Sequence, residues 1–208
     1  MLKSFRKYRP LKRSSITGKI IIGIIGTHIG TGATHFAVML SNYMSECLGM
    51  KTAYIECFPQ KELGYMEKLY YLDGNATSMT ESFSIYKVHY YKNIREDRIA
   101  KIMGYEYECV ILDLGLDVNK MRNEFLRCDK KIVISNLAPW KLNELETFIT
   151  SKGLEREVCN LEYGISFPVN RVIKEVSKLY GISCFTIPYE PDPFNLSNDT
   201  IKMFQKII

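Results

Sequence analysis

The stretch Ile20–His35, IIIGIIGTHIGTGATH, constrains this chain most. Its β-branched residues, interrupted at Gly23, predict a buried strand over Ile20–Ile25. Gly26, Gly30 and Gly32 then predict a tight turn. Thr34–Cys47 predicts a helix, with Phe36, Met39, Leu40, Tyr43, Met44 and Cys47 at helical spacing and Gly49 closing it. A strand, a glycine-rich turn and a helix N-terminus in that order present backbone N–H groups to a phosphate. In an active loop of this kind a lysine neutralises the terminal phosphate oxygens, and a Ser/Thr hydroxyl helps hold Mg²⁺. Thr34 supplies the hydroxyl, but Ala33 stands where the lysine is needed.

Apolar runs and helical periods alternate along the remaining chain. Strands are expected at Thr52–Cys57, Ser84–Tyr91, Cys109–Leu114, Lys131–Ser135, Val158–Tyr163 and Ser183–Ile187. Helices are expected at Lys61–Leu72, Arg95–Met103, Asn119–Arg127, Pro139–Thr150, Val169–Tyr180 and Asn198–Ile208, with a turn at Asp73-Gly74-Asn75. Continuous apolar strands between helices predict a three-layer α/β/α domain on a mostly parallel sheet. A length of 208 residues suits one domain, residues 18–208, behind a tail of residues 1–17.

The same glycines also fit a dinucleotide loop, with Glu56 at the end of the second strand binding ribose. The Tyr-x-x-x-Lys that short-chain dehydrogenases need occurs in this chain as Tyr8–Lys12, ahead of the first strand, which argues against that chemistry. The segment Tyr107–Gly115, YECVILDLG, is more telling. A hydrophobic strand ending in Asp113 and followed by Gly115 is where a phosphoryl-transfer protein places its Mg²⁺-contacting carboxylate.

With Thr52–Gln60, TAYIECFPQ, the chain resembles the ParA/MinD group of deviant-loop P-loop ATPases over roughly Gly18–Asn195. The resemblance places His28 at the group's signature lysine and Ala33 at the phosphate-loop lysine, with Gly30 and Gly32 at loop glycines. It makes Gly30, Thr31, Gly32, Ala33, Thr34 and His35 the phosphate-side residues, and Thr34 and Asp113 the Mg²⁺ residues. Glu56 matches the aspartate that places the attacking water, and Phe58 replaces a second aspartate before Pro59 and Gln60. Ile187–Phe194, IPYEPDPF, matches the segment passing near the base, with Pro188 in it. The implied cofactor is ATP or ADP with Mg²⁺. With both lysines absent, the implied chemistry is weak or lost hydrolysis, with Glu56 and Asp113 as vestigial catalytic residues. Atypical loops of this kind resemble the TadZ/CpaE-like localisation proteins of pilus assembly.

Of the net charge of +5, residues 1–13 supply +6, so residues 14–208 carry −1. The tail, LKSFRKYRPLKR, therefore predicts either a solvated terminus or attachment to an anionic membrane surface or nucleic acid, aided by a homodimer or protein partner. The six scattered cysteines predict small buried residues in a reducing compartment. With no apolar run long enough to span a bilayer and no signal peptide, the expectation is a cytoplasmic protein, peripheral at most. Tyr86, His89, Tyr90 and Tyr91 predict a half-buried strand, and Trp140 a residue packed at a helix start. Three functions remain open: a scaffold or positioning factor, an ATPase in which another cation such as His28 replaces the loop lysine, and a DNA-associated partition protein.

Overall fold

The computed structural model describes residues 18–58, 62–70, 81–151, 154 and 158–208. The basic tail, Pro59, Gln60 and the expected turn at Asp73-Gly74-Asn75 lie outside the described residues. The strands are β1 (Ile20–Gly26), β2 (Thr52–Glu56), β3 (Ser82–Ile85), β4 (Val88–Tyr91), β5 (Cys109–Asp113), β6 (Lys130–Asn136), β7 (Glu162–Ser166) and β8 (Ser183–Thr186). The helices are α1 (Ala33–Asn42), α2 (Glu62–Tyr70), α3 (Glu96–Met103), α4 (Val118–Leu126), α5 (Leu142–Ile149), α6 (Asn170–Tyr180) and α7 (Asn198–Ile207). One eight-stranded sheet runs β3-β4-β2-β5-β1-β6-β7-β8, parallel except for β3 against β4.

Alternation along the central strands builds the two cores. Ile22 and Ile24 of β1 pack with α1, α2 and α7 on one face, whereas Ile25 packs with α3, α4, α5 and α6 on the other. Gly23 faces the second core, where a Cβ would lie 2.8 Å from the Cys128 sulfur, so the α4–β6 connection closes directly on β1. Cys47, Cys57, Cys109 and Cys128 are buried thiols and Cys184 is half-buried. Among the described residues no helix is long and apolar enough to cross a membrane.

Three expectations need correction. The expected strand over Ser84–Tyr91 is a hairpin of β3 and β4, because Tyr86 adopts φ +54° and turns the chain. The first helix leaves α geometry at Asn42 and continues as a π-helical turn over Tyr43–Cys47. The strand expected at Val158–Tyr163 begins at Glu162, after a 3₁₀ turn over Val158–Asn160. Its register puts Gly164 against Ile134 and Phe185, and a Cβ there would lie 2.9 and 2.8 Å from their side chains.

The hairpin matters to the site because it holds α2. Lys92, just after β4, pairs with Glu67 of α2 at 2.5 Å, both about nine-tenths buried, and its ammonium also lies over the Phe83 ring. Removing one partner of a buried pair leaves the other charge uncompensated. Glu67→Ala is therefore expected to cost roughly 3 kcal/mol in a denaturant titration, whereas the exposed Asp199→Ala should change little.

Candidate functional site

The glycine loop leaves the C-terminal end of β1, between β5 and β6, where parallel sheets of this kind bind ligands. Neighbouring strand ends hold it. Gly26 N–H donates to Gly115 O at 2.9 Å and Thr27 N–H to Ile134 O at 3.0 Å. The Thr27 hydroxyl donates to Ser135 Oγ at 3.0 Å, and Ser166 Oγ donates to the Thr31 carbonyl at 2.6 Å. Gly30 and Gly32 adopt φ +85° and +83°, the left-handed conformation that glycine takes without strain. Gly26 has no room for a side chain, since a Cβ would sit 2.7 Å from Thr31 Oγ1.

At the start of α1, the Thr34 hydroxyl donates to Asp113 Oδ2 at 2.7 Å, and the Tyr54 hydroxyl donates to the same oxygen at 2.6 Å. Gly115 N–H donates to Oδ1 at 3.2 Å. Burial pushes the Asp113 carboxyl above its ordinary value, against the opposing effect of these three donors. Tyr54 was not legible as a site residue. The cross-strand register Glu56↔Asp113 brings it there, and a tyrosine in a fully buried strand needs a hydrogen-bond acceptor.

The expected residues divide into three groups. Gly30, Thr31, Gly32, Ala33, Thr34, His35 and Asp113 line one cavity of ≈ 700 Å³, with Glu62 and Met66 of α2 opposite the loop. Pro188 lines a second cavity of ≈ 370 Å³, walled by Phe36, Met39, Phe167 and the segment after β8, and it adjoins the first at Gly30–Gly32 and His35. Glu56 lines neither cavity. Its carboxylate is buried and accepts N–H from Leu63 at 3.3 Å and from Asn93 at 3.0 Å, so it caps the first turn of α2.

No lysine or arginine lines either cavity among the described residues. His28 does not make up the charge. Its ring is buried and bonded to Thr27 Oγ1 at 3.0 Å, and burial, followed by the nearby Lys141, pushes its pKa down, so it is neutral at pH 7. His35 Nε2 donates to the Glu190 carbonyl at 2.7 Å, and Asn42 Nδ2 donates to Pro193 O at 2.8 Å, fastening the segment after β8 to α1. Apolar side chains lining the two cavities reach solvent: Ile29 at 84%, Phe167 at 70% and Tyr189 at 80% exposed. Trp140, 79% exposed, is not packed at a helix start; of the residues expected in a half-buried strand, Tyr90 and Tyr91 are buried in β4, whereas Tyr86 is exposed in the turn.

No protein-family model matches this chain, and no curated protein is significantly similar to it in sequence. Solved structures are similar in overall shape. A plasmid partition protein from Borrelia burgdorferi B31 bound to AMPPNP superposes with TM-score 0.65 and 18% identity, over 92% of this chain and 97% of that one. The MinC:MinD cell division complex of Aquifex aeolicus gives 0.60 and 14%, over 83% and 82%. Cobyrinic acid a,c-diamide synthase from Mycobacterium smegmatis, with an ATP analogue and magnesium, gives 0.63 and 12%, over 90% and 92%. These likenesses establish the fold, that of the ParA/MinD P-loop ATPases.

Proposed function

We propose that this chain is a nucleotide-binding positioning factor, a scaffold that takes ATP or ADP with Mg²⁺ weakly and hydrolyses ATP little or not at all. The observation that carries this reading is the Thr34–Asp113 pair, 2.7 Å apart beneath a glycine loop whose lysine position is Ala33. A hydroxyl and a carboxylate are hard oxygen donors suited to Mg²⁺, which takes few protein ligands and completes its shell with phosphate and water. Thr34 and Asp113 would hold the ion, and the ion would supply positive charge between phosphate oxygens. The loop N–H groups would bind phosphate, and the apolar cavity around Pro188 and Phe36 would accept the base.

Hydrolysis needs more than binding. A cation must stabilise charge developing on the transferred phosphoryl group, and a base must place the water. Ala33 and neutral His28 supply no charge, and both Glu56 oxygens are engaged by backbone N–H groups. The pilus-assembly resemblance supports positioning, and solved structures of the same fold include a plasmid partition protein and a cell division complex. The exposed apolar side chains lining the cavities suit a second copy of the chain or a protein partner, and residues 1–13, with +6, suit an anionic membrane surface.

Calorimetric titration with ATP·Mg²⁺ followed by a phosphate-release assay tests the proposal. The expected result is binding in the micromolar to millimolar range with no release above background. Turnover near one per second that disappears in Thr34→Ala would sink it in favour of an active ATPase.

A further inference from the structure

The cavity under the loop carries two carboxylates, Asp113 and Glu62, and no lysine or arginine in its lining, yet a triphosphate is a polyanion. Among the described residues, one cation beside this cavity stands on α4. The chain leaves β5 through Gly115 and Leu116, which line the cavity, and enters α4 at Val118, so Lys120 lies in the helix's first turn beside that lining. Asp117 Oδ1 accepts the Lys120 backbone N–H at 3.1 Å, which fixes where the side chain starts.

The Lys120 ammonium lies over the ring of Phe58, 5.5 Å from its centroid, and Phe58 itself lines the cavity. No carboxylate among the described residues pairs with it. Other lysines around the site are spoken for: Lys141 faces Glu144 at 3.6 Å, and Lys92 is paired with Glu67. An aromatic face attracts an exposed ammonium only weakly. Phe58 therefore holds Lys120 at the cavity edge without neutralising it, as an acidic residue at that position would. A flexible four-carbon stem lets the ammonium leave the ring for a stronger anion.

We propose that Lys120 is the countercharge for phosphate in this cavity, a role moved from the loop to the first turn of α4, with Phe58 as its resting place. Lys120 is a binding residue and takes no part in bond making. The inference rests on the reading of the cavity as a nucleotide site, and its test separates the two.

Calorimetry on the full chain with two probes, ATP·Mg²⁺ and inorganic tripolyphosphate, is the experiment. Lys120→Met is expected to weaken both by about five- to tenfold at low ionic strength, with the difference shrinking as salt screens the charge. Lys120→Arg should keep most of the affinity, and Lys101→Met on α3 should bind like the unaltered chain. Because Lys120 is exposed, melting temperatures of all three variants should match the parent. If the parent binds both probes and Lys120→Met binds them equally, the countercharge role is wrong and the nucleotide reading stands. If the parent binds neither probe, both fall together.

Discussion

Ala33→Lys is expected to raise the affinity for ATP·Mg²⁺ by roughly ten- to a hundredfold, with hydrolysis still near background. Ala33 is buried and lines the larger cavity, so a lysine there extends into space bounded by Thr34, Asp113 and the loop N–H groups. The new ammonium meets phosphate in a partly desolvated setting, where a charge-assisted hydrogen bond is worth more than at the surface. Without ligand it is a cost, because a cation has been placed in a largely buried site. The variant should therefore melt lower than the parent when empty and show a larger upward shift with ATP·Mg²⁺. Hydrolysis does not follow, because Glu56 lines neither cavity and its carboxylate is turned to α2 and Asn93. A variant that folds and still binds no ATP·Mg²⁺ at millimolar concentration would show that the loop no longer receives phosphate.

Asp113→Asn should have the opposite pair of effects: loss of Mg²⁺-dependent binding with no loss of folding stability. The Asp113 carboxyl is buried at the cavity wall and its pKa is raised, chiefly by burial. A folded pKa above the unfolded one means that the fold favours the protonated acid. That contribution to stability is complete below the unfolded value and is lost as pH rises through the folded value. Glu56, raised by burial in the same way, adds to the trend. Once ionised, above its raised folded value, Asp113 is therefore a destabilising charge kept in place. Asparagine removes it while its oxygen still accepts from Thr34 and Tyr54, although the bond from Gly115 is lost. Where Asp113 is ionised, melting temperature should hold or rise, and its fall as pH climbs above the ordinary carboxylate range should flatten. Mg²⁺ loses its charged ligand, so nucleotide affinity should drop at least ~30-fold with Mg²⁺ and change little with EDTA. A large drop in melting temperature would instead make Asp113 a structural anion.

What the sequence revealed follows from the range of the interactions involved. Ile20–Gly26 and Cys109–Asp113 are buried on both faces, so an unbroken apolar run suffices to place them, and glycines with positive φ mark the loop between β1 and α1. The β3–β4 hairpin was hidden because its turn uses Tyr86 and Lys87, with no glycine or asparagine to announce it. The far half of β7 was hidden because Gly164 reads as a breaker, although the crowding of Ile134 and Phe185 requires it. At the site, Thr34 and Asp113 could be paired from the motifs alone. The engagement of Glu56, the burial of His28 and the arrival of Tyr54 and Lys120 depend on cross-strand register and on where α2 and α4 settle, which no local pattern encodes.

The two bonds that fasten the segment after β8, His35 to Glu190 and Asn42 to Pro193, divide the pocket mechanically. Both start on α1, the helix that begins at the loop, so the glycine loop and the wall of the smaller cavity are tied to one element. A ligand entering from the mouth meets on that side a surface that resists deformation. Compliance is left to the opposite wall, where Glu62 and Met66 of α2 and Leu116 before α4 sit on separate elements. News of an occupied pocket would then travel outward through α2 and α4, and a partner that distinguishes the full protein from the empty one would read those two helices rather than α1.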